Sequence, residues 1–237
     1  MIGELTMKTS AEILTDVRNI LVTQWKTREG KKVPEAEEVK LGNDAVTLDG
    51  TVLYADLTDS TGLVNNHKDW FAAEIYKSYL VAACHIIRNN AGSITAFDGD
   101  RVMAVYIGDS KNSSAAKSAL QISFIVKEIN SAIKKAYPNT AYQIRQAIGI
   151  DNTKLFVAKT GIRNSNDLVW VGRAPNYAAK LCGLVDGAYS IFITEGVFTM
   201  LNDQTKHGGS PRRLMWEKSH WQEHAVTIYK SNWSWKF

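Results

Sequence analysis

The spacing of apolar positions changes several times along this chain, and each change marks an element. In residues 10–27 (SAEILTDVRNILVTQWKT), Ile13, Leu14, Val17, Ile20, Leu21 and Trp25 recur at helical spacing behind a Ser10 placed to cap the first turn. Residues 28–45 are charged, with one Pro and two Gly, and read as a linker. From about residue 46 the texture changes: VTLDGTVLYADL predicts a strand entering a turn, and residues 68–90 a long buried helix. GSITAFDGDRVMAVYIGD then holds two short apolar runs around Asp98-Gly99, a dipeptide that favours a tight hairpin turn. Within residues 113–136, Ala116, Ala119, Leu120, Ser123, Ile125, Val126, Ile129 and Ile133 trace one face of a helix. A strand (QIRQAIGI, 143–150), a second hairpin (KLFVAKTGI and DLVWVG), a helix (APNYAAKLCGLV) and a short strand (SIFIT) follow. The tail, with Trp216, Trp221, Trp233 and Trp235, reads as a strand with covering aromatics. Strands alternating with long helices predict an α/β (α+β) fold with helices packed on a sheet. Residues 1–45 are expected to form an N-terminal helix and linker, and residues 46–237 one folded domain.

Composition narrows the partners. At 237 residues and 45% hydrophobic, the chain can bury one sizeable core. A net charge of +4 suits an anionic small molecule as well as weak nucleic-acid contact. The pairs Lys31-Lys32, Lys134-Lys135 and Arg212-Arg213 are isolated, so no nucleic-acid arm is expected. Cys84 and Cys182 lie in apolar stretches without CxxC spacing, as reduced thiols of a cytoplasmic protein do. The opening MIGELTMKTS lacks the basic-then-apolar order of a signal peptide, and no apolar run approaches the ~20 residues of a membrane span. A soluble, cytoplasmic protein with no membrane partner is expected.

Two acidic positions stand out. Asp56 closes the apolar run VLYAD and opens the turn LTDSTG; Asp100 follows the Asp-Gly turn and precedes VMAVY. Carboxylates at the ends of adjacent buried strands converge, and with triphosphate oxygens they give the all-oxygen shell that hard divalent cations prefer. Taken alone, Asp56 serves equally well as a helix cap, alongside Thr58, Asp59, Ser60 and Thr61, and Asp100 as turn chemistry. Further on, Asn176 and Lys180 stand four apart and share a helix face. Such an amide can donate to a ribose or phosphate oxygen and such an ammonium can neutralise charge growing on phosphate. A solvated helix face carries the same pair.

In this order, four segments resemble the class III nucleotidyl cyclases: YADLTDSTG (54–62), GDRVMAV (99–105), RQAIGI (145–150) and GRAPNYAAKL (172–181). The resemblance covers roughly residues 48–229. It implies a ferredoxin-like βαββαβ core with a mixed, mainly antiparallel sheet and packed helices. It also implies an enzyme that closes a nucleoside triphosphate into its 3′,5′-cyclic monophosphate. By this resemblance, Asp56, Asp100 and the Leu57 carbonyl hold two Mn²⁺ or Mg²⁺ ions per site. The chain is expected to form a head-to-tail homodimer with active sites at the interface. The facing protomer supplies Asn176 to the ribose and Lys180, where the family usually has Arg, to the α-phosphate. Lys154 stands where the family often has a phosphate-binding Arg, and Lys218 is the best match to a C-terminal phosphate-binding lysine.

The base pocket departs from the family. Adenylate cyclases usually carry a Lys four residues before the second metal-binding Asp and an Asp seven before the Asn, positions held here by Ala96 and Val169. The Glu and Cys of guanylate cyclases are absent as well. The chain is most similar to the pyrimidine-specific bacterial cyclases of Pycsar antiphage defence. That implies UTP ahead of CTP as substrate and a cyclic product acting on a separate effector protein. Thr95, Phe97 and Arg101 flank the hairpin turn and are expected around the base. An adenylate cyclase with a non-standard pocket and a catalytically dead regulatory module are the alternatives; retention of Asp56, Asp100 and Asn176 argues against the second.

Overall fold

In the computed structural model, which describes residues 7–184 and 186–237, the elements run in chain order. They are α1 Ser10–Val22, β1 Lys26–Glu29, β2 Asp44–Leu57, α2 Ser60–Asn66, α3 Asp69–Asn89, β3 Ser93–Asp98, β4 Arg101–Tyr106, α4 Lys111–Ala136 and β5 Gln146–Ile162. There follow β6 Ser165–Val171, α5 Arg173–Leu181, β7 Ile191–Thr194, α6 Glu195–Thr199, α7 Asp203–Lys206, β8 His207–Gly208, β9 Arg213–Leu214, β10 Glu217–Trp221 and β11 Val226–Ser231. Contacts divide the chain into two units: the described residues through Leu48 with Phe156–Val171, and Asp49–Leu155 with Gly172–Phe237. Strands β2 and β5 contribute residues to both.

The larger unit contains β2-α3-β3-β4-α4-β5, a βαββαβ series whose strands lie in the order β5-β2-β4-β3, with β7, β11 and β10 extending the sheet beyond β5. Strand β4 runs antiparallel to β2 and β3, β11 antiparallel to β7 and β10, and β5 parallel to β7. The expected mixed, mainly antiparallel sheet is therefore present. Helix α3 buries Phe71, Ala72, Ile75, Tyr79, Ala83, Ile86 and Ile87, a stripe at helical spacing. The first half of α4 is buried almost all round; Ala115, Ala116, Ser118 and Ala119 are small enough to let it approach its neighbours closely.

Two contacts fix α5 on this sheet. A Cβ at Gly149 of β5 would lie 2.0 Å from the Ala178 carbonyl oxygen, so the helix can cross there only over glycine. Asp151, on the same strand and 0% exposed, accepts hydrogen bonds from Arg173 Nε (2.9 Å), Arg173 Nη2 (3.1 Å) and Thr194 Oγ1 (2.5 Å). The first residue of α5 is thereby tied to β5 and β7.

In the smaller unit, β1 pairs in parallel with the start of β2, and β6 forms a hairpin with the end of β5. Trp25 meets Phe156 edge to face, with ring centroids 4.9 Å apart. The described residues of α1 are all exposed.

Several local expectations shift. The helix placed over 10–27 ends at Val22, and its cap is Thr9 rather than Ser10. Thr9 and Glu12 form a reciprocal capping box, which needs Glu or Gln three residues after the cap; Ser10 is followed at that spacing by Ile13. Lys26–Glu29, split between the expected helix and linker, pairs as a strand that is exposed throughout, which is why its residues carry no apolar alternation. Asp98 pairs with Arg101, so the turn residues are Gly99 and Asp100, with Gly99 in the left-handed region at φ +61°. The strand at 143–150 and the hairpin arm after it are one strand, β5. The helix read over 174–185 ends at Leu181; Val185 and residues 1–6 lie outside the described residues. No helix among the described residues is long and apolar enough to cross a membrane.

Arg173→Ala leaves Asp151 buried with Thr194 as its remaining side-chain donor. Unfolding free energy in a urea titration is expected to fall by about 3 kcal/mol, the usual cost of an uncompensated buried charge. An unchanged midpoint would show that the pair holds nothing together.

Candidate active site

Strand pairing brings the acidic residues to one end of the sheet. Strand β2 pairs with β4 from Thr51↔Tyr106 to Ala55↔Val102. The next residue of β2, Asp56, therefore emerges beside Arg101 and the Gly99–Asp100 turn. One oxygen of Asp100, Oδ2, is buried without a hydrogen-bond partner, as is Thr58 Oγ1. The Asp56 carboxyl is pushed up to about 6, first by burial and then by the negative charge of Asp100, with Arg101 acting in the opposite sense. Arg101 is the positive charge beside these partly desolvated carboxylates, yet among the described residues neither carboxylate is in an ion pair, and one oxygen of Asp100 is unused. Their donor chemistry fits a hard divalent cation. Among the described residues no three His, Cys, Asp or Glu cluster together. An ion held by these two carboxylates would need further oxygens, for which water and backbone carbonyls such as that of Leu57 are available. Leu57 itself is buried as the last residue of β2.

Arg101 belongs to this corner. Its Nη2 pairs with Asp98 Oδ2 at 2.5 Å, its guanidinium lies 5.4 Å from the Tyr54 ring centroid, and its buried Nε has no partner. Thr95 occupies an irregularity in the β3–β4 register, and its hydroxyl donates to the Met103 carbonyl at 3.4 Å. Ala96 pairs with Met103 and is half-buried, while Phe97 is 58% exposed. Val169 lies in the smaller unit on β6, opposite Ala158, and is exposed.

Asn176 and Lys180 share the exposed face of α5, whose opposite face buries Ala174, Ala178 and Leu181. The Asn176 amide donates back to the Gly172 carbonyl at 3.3 Å. Lys180 Nζ lies 3.2 Å from His224 Nε2 and 3.6 Å from Glu223 Oε1. Lys154 is exposed on β5, and Lys218 on β10 lies 3.7 Å from Glu195. Among the described residues none of these four makes a hydrogen bond or ion pair with Asp56 or Asp100. The chain thus presents an acidic corner and a separate amide-and-ammonium face.

Sequence reasoning gave no part at these surfaces to three residues, of which Cys182 was expected only as a reduced thiol in an apolar stretch and is free and buried. Asp151 had a visible signal, a carboxylate directly after the apolar run AIGI. Cys182 donates its thiol to the Tyr54 carbonyl at 3.1 Å, behind the acidic corner, and burial, then the Asp56 charge, pushes the thiol up. His224 had no sequence signal at all.

No protein-family model matches the chain. It is 48% identical over 228 residues to a uridylate cyclase from Xanthomonas perforans, covering 95% of this chain and 97% of that one. It is 45% identical to a uridylate cyclase from Burkholderia cepacia, over 90% of this chain and 92% of the relative. A third uridylate cyclase, from Rhodovulum sp. (strain MB263), is 38% identical over 95% and 97% of the two chains. In fold, the chain resembles the solved structure of a bacterial light-regulated adenylyl cyclase (TM-score 0.68, 20% identity, 81% of this chain and 54% of that one). It also resembles an adenylyl cyclase from P. aeruginosa (TM-score 0.67, 17% identity, 79% and 95% covered).

The raised Asp56 pKa gives a stability prediction. A carboxyl with a higher pKa in the folded than in the unfolded state lowers stability as pH rises through the interval between them, here from about 4 to about 6. Without metal, Asp56→Asn is expected to be more stable than the wild type above pH 7, by roughly 1–2 kcal/mol after allowing for solvent screening. The difference should vanish near pH 4 in urea titrations with chelator. A variant no more stable than the wild type at pH 7.5 would show that the two carboxylates do not strain the fold.

Proposed function

The chain belongs to the uridylate cyclases, and from that membership we propose that it converts UTP into 3′,5′-cyclic UMP and diphosphate, with CTP the next substrate. The observation that carries this reading is the acidic corner: a carboxylate pair that forms no ion pair among the described residues, at the end of β2 and the β3–β4 turn. In the reaction the ribose 3′-hydroxyl gives up its proton to solvent, its oxygen attacks the α-phosphorus to close the ring, and the bond to the β-phosphate oxygen breaks, releasing diphosphate. Asp56, Asp100 and the Leu57 carbonyl would hold two Mn²⁺ or Mg²⁺ ions. When bound, these supply Lewis acidity toward the attacking hydroxyl and the phosphates.

The remaining roles fall to this chain's other side chains. Asn176 orients the ribose through its amide, and Lys180 meets the charge that grows on the α-phosphate. Lys154 and Lys218 are exposed cations suited to the β- and γ-phosphates. Among the described residues Asn176 and Lys180 make no hydrogen bond or ion pair with Asp56 or Asp100, which supports a complete site built from two copies in a homodimer. Ala96 and Val169, at the two positions where adenylate cyclases carry purine-reading polar groups, have only alkyl side chains, so neither offers a donor or acceptor to adenine or guanine. Thr95 and Arg101 are the polar groups near Ala96 able to meet a uracil edge. The reading extends to a cytoplasmic signalling enzyme of antiphage defence whose cyclic product acts on a separate effector.

Three measurements test this. With Mn²⁺ and all four nucleoside triphosphates at equal concentration, mass analysis should find cyclic UMP in excess and cyclic CMP second. Predominant cyclic AMP would overturn the pyrimidine reading. Asp56→Ala and Asp100→Ala should each lower the rate by at least about a thousandfold while keeping the fold, since each removes a ligand shared by both ions. Co-expressed Asp56→Ala and Asn176→Ala chains should regain activity through one intact site per mixed dimer. Mixed dimers without activity would place the whole site within one chain.

A further inference from the structure

Lysine is a point cation on a flexible four-carbon stem, so an ammonium that must meet charge at one place in a reaction has to be held there. The turn between β10 and β11 supplies the hold. Gln222–His224 form one short 3₁₀ turn, and Ala225 follows in the left-handed region at φ +50°. The His224 ring packs edge-on to Trp221, with centroids 4.1 Å apart, and against Tyr177 of α5 at 5.0 Å. Tyr177 and Trp221 also meet each other, at 5.2 Å. With its side chain only 19% exposed, the ring is wedged between two aromatics. Its Nε2 edge lies 3.2 Å from Lys180 Nζ. An ammonium has three protons to donate and no acceptor capacity, so a neutral imidazole in this contact must accept at Nε2 and carry its own proton on Nδ1. Glu223 Oε1 lies 3.6 Å from the same ammonium and 3.4 Å from His224 Nε2, and as an exposed carboxylate it carries little energetic weight toward either.

We propose that His224 is a positioning residue for the cyclisation: it accepts a hydrogen bond from the Lys180 ammonium and fixes the point at which that charge meets the α-phosphate. The proposal rests on the reading of Lys180 given above. The wedge explains why this hold is effective. The aromatic contacts restrict the His224 ring, and Tyr177 rides on the same helix as Lys180, three residues earlier, so acceptor and donor are referenced to one element. Ordering a long side chain before substrate arrives removes rotamer freedom that the reaction would otherwise have to freeze in its transition state.

The test is a double-mutant cycle on the full-length protein, with UTP and Mn²⁺ and with folding checked by thermal melting. His224→Ala should lower kcat about tenfold and change KM for UTP less than about twofold, the pattern of an interaction made in the transition state. His224→Gln, whose side-chain carbonyl also accepts from an ammonium, should regain most of that loss. It also keeps the comparison available if the alanine variant does not fold. In a Lys180→Ala background, neither His224 substitution should cost anything further. Equal losses with and without Lys180, or a glutamine variant no better than alanine, would overturn the proposal and leave His224 a packing residue. Full kcat in Lys180→Ala alone would instead remove the reading of Lys180 on which the proposal stands.

Discussion

Asp56 is held in a partly buried place beside the negative charge of Asp100, and strand register and helix packing keep it there against that cost. Each emerges at a strand end whose register is set by β2–β4 pairing, and moving either strand by one residue would turn its carboxylate to the opposite face. The register is in turn held by the apolar load beneath it: Leu53, Ala55, Val102 and Ala104 pack in the same core as the inner faces of α3 and α4. Helix packing thus compensates for an electrostatic conflict at the end of the sheet. A carboxylate pair that is unfavourable when empty favours a cation that relieves it, which is the physical ground of the proposed metal site.

The second surface, on α5, solves a different problem. Its polar groups are exposed, so their placement depends on how firmly the helix and its side chains are anchored. Gly149 lets the helix backbone sit directly on β5, and Asp151 ties its first residue down through Arg173. The aromatic wedge of Tyr177, Trp221 and His224 restricts the lysine. Buried, precise contacts thereby determine the location of a charge that is itself more than half exposed on its long stem.

The sequence displayed the framework well. Long apolar stripes announced α3 and α4, because a buried helix face must be apolar whatever it packs against. The chain segment from YADLTDSTG to GRAPNYAAKL carried the family resemblance and both carboxylates. What stayed hidden has physical reasons. Strand β1 is exposed at every residue, so it needs no alternation to exist. The Asp-Gly pair marked a turn correctly but not its phase, since Gly99 takes the first loop position and passes the second to Asp100. Asp151 and Arg173 are far apart in sequence and acquire meaning only when β5 and α5 cross. His224 was invisible because it is placed by ring packing across three elements, for which no local spacing exists. Readings of the base pocket depended on which polar groups are absent at Ala96 and Val169, and absence identifies no positive contact.

The most direct measurement is a crystal structure with Mn²⁺ and a UTP analogue lacking the 3′-hydroxyl, which binds but cannot cyclise. Anomalous scattering would locate the metal without reference to activity. The account predicts Mn²⁺ peaks ligated by both Asp56 and Asp100, with Asn176 and Lys180 of the second copy at the ribose and α-phosphate. Metal bound elsewhere, or an α5 face turned away from the nucleotide, would contradict it.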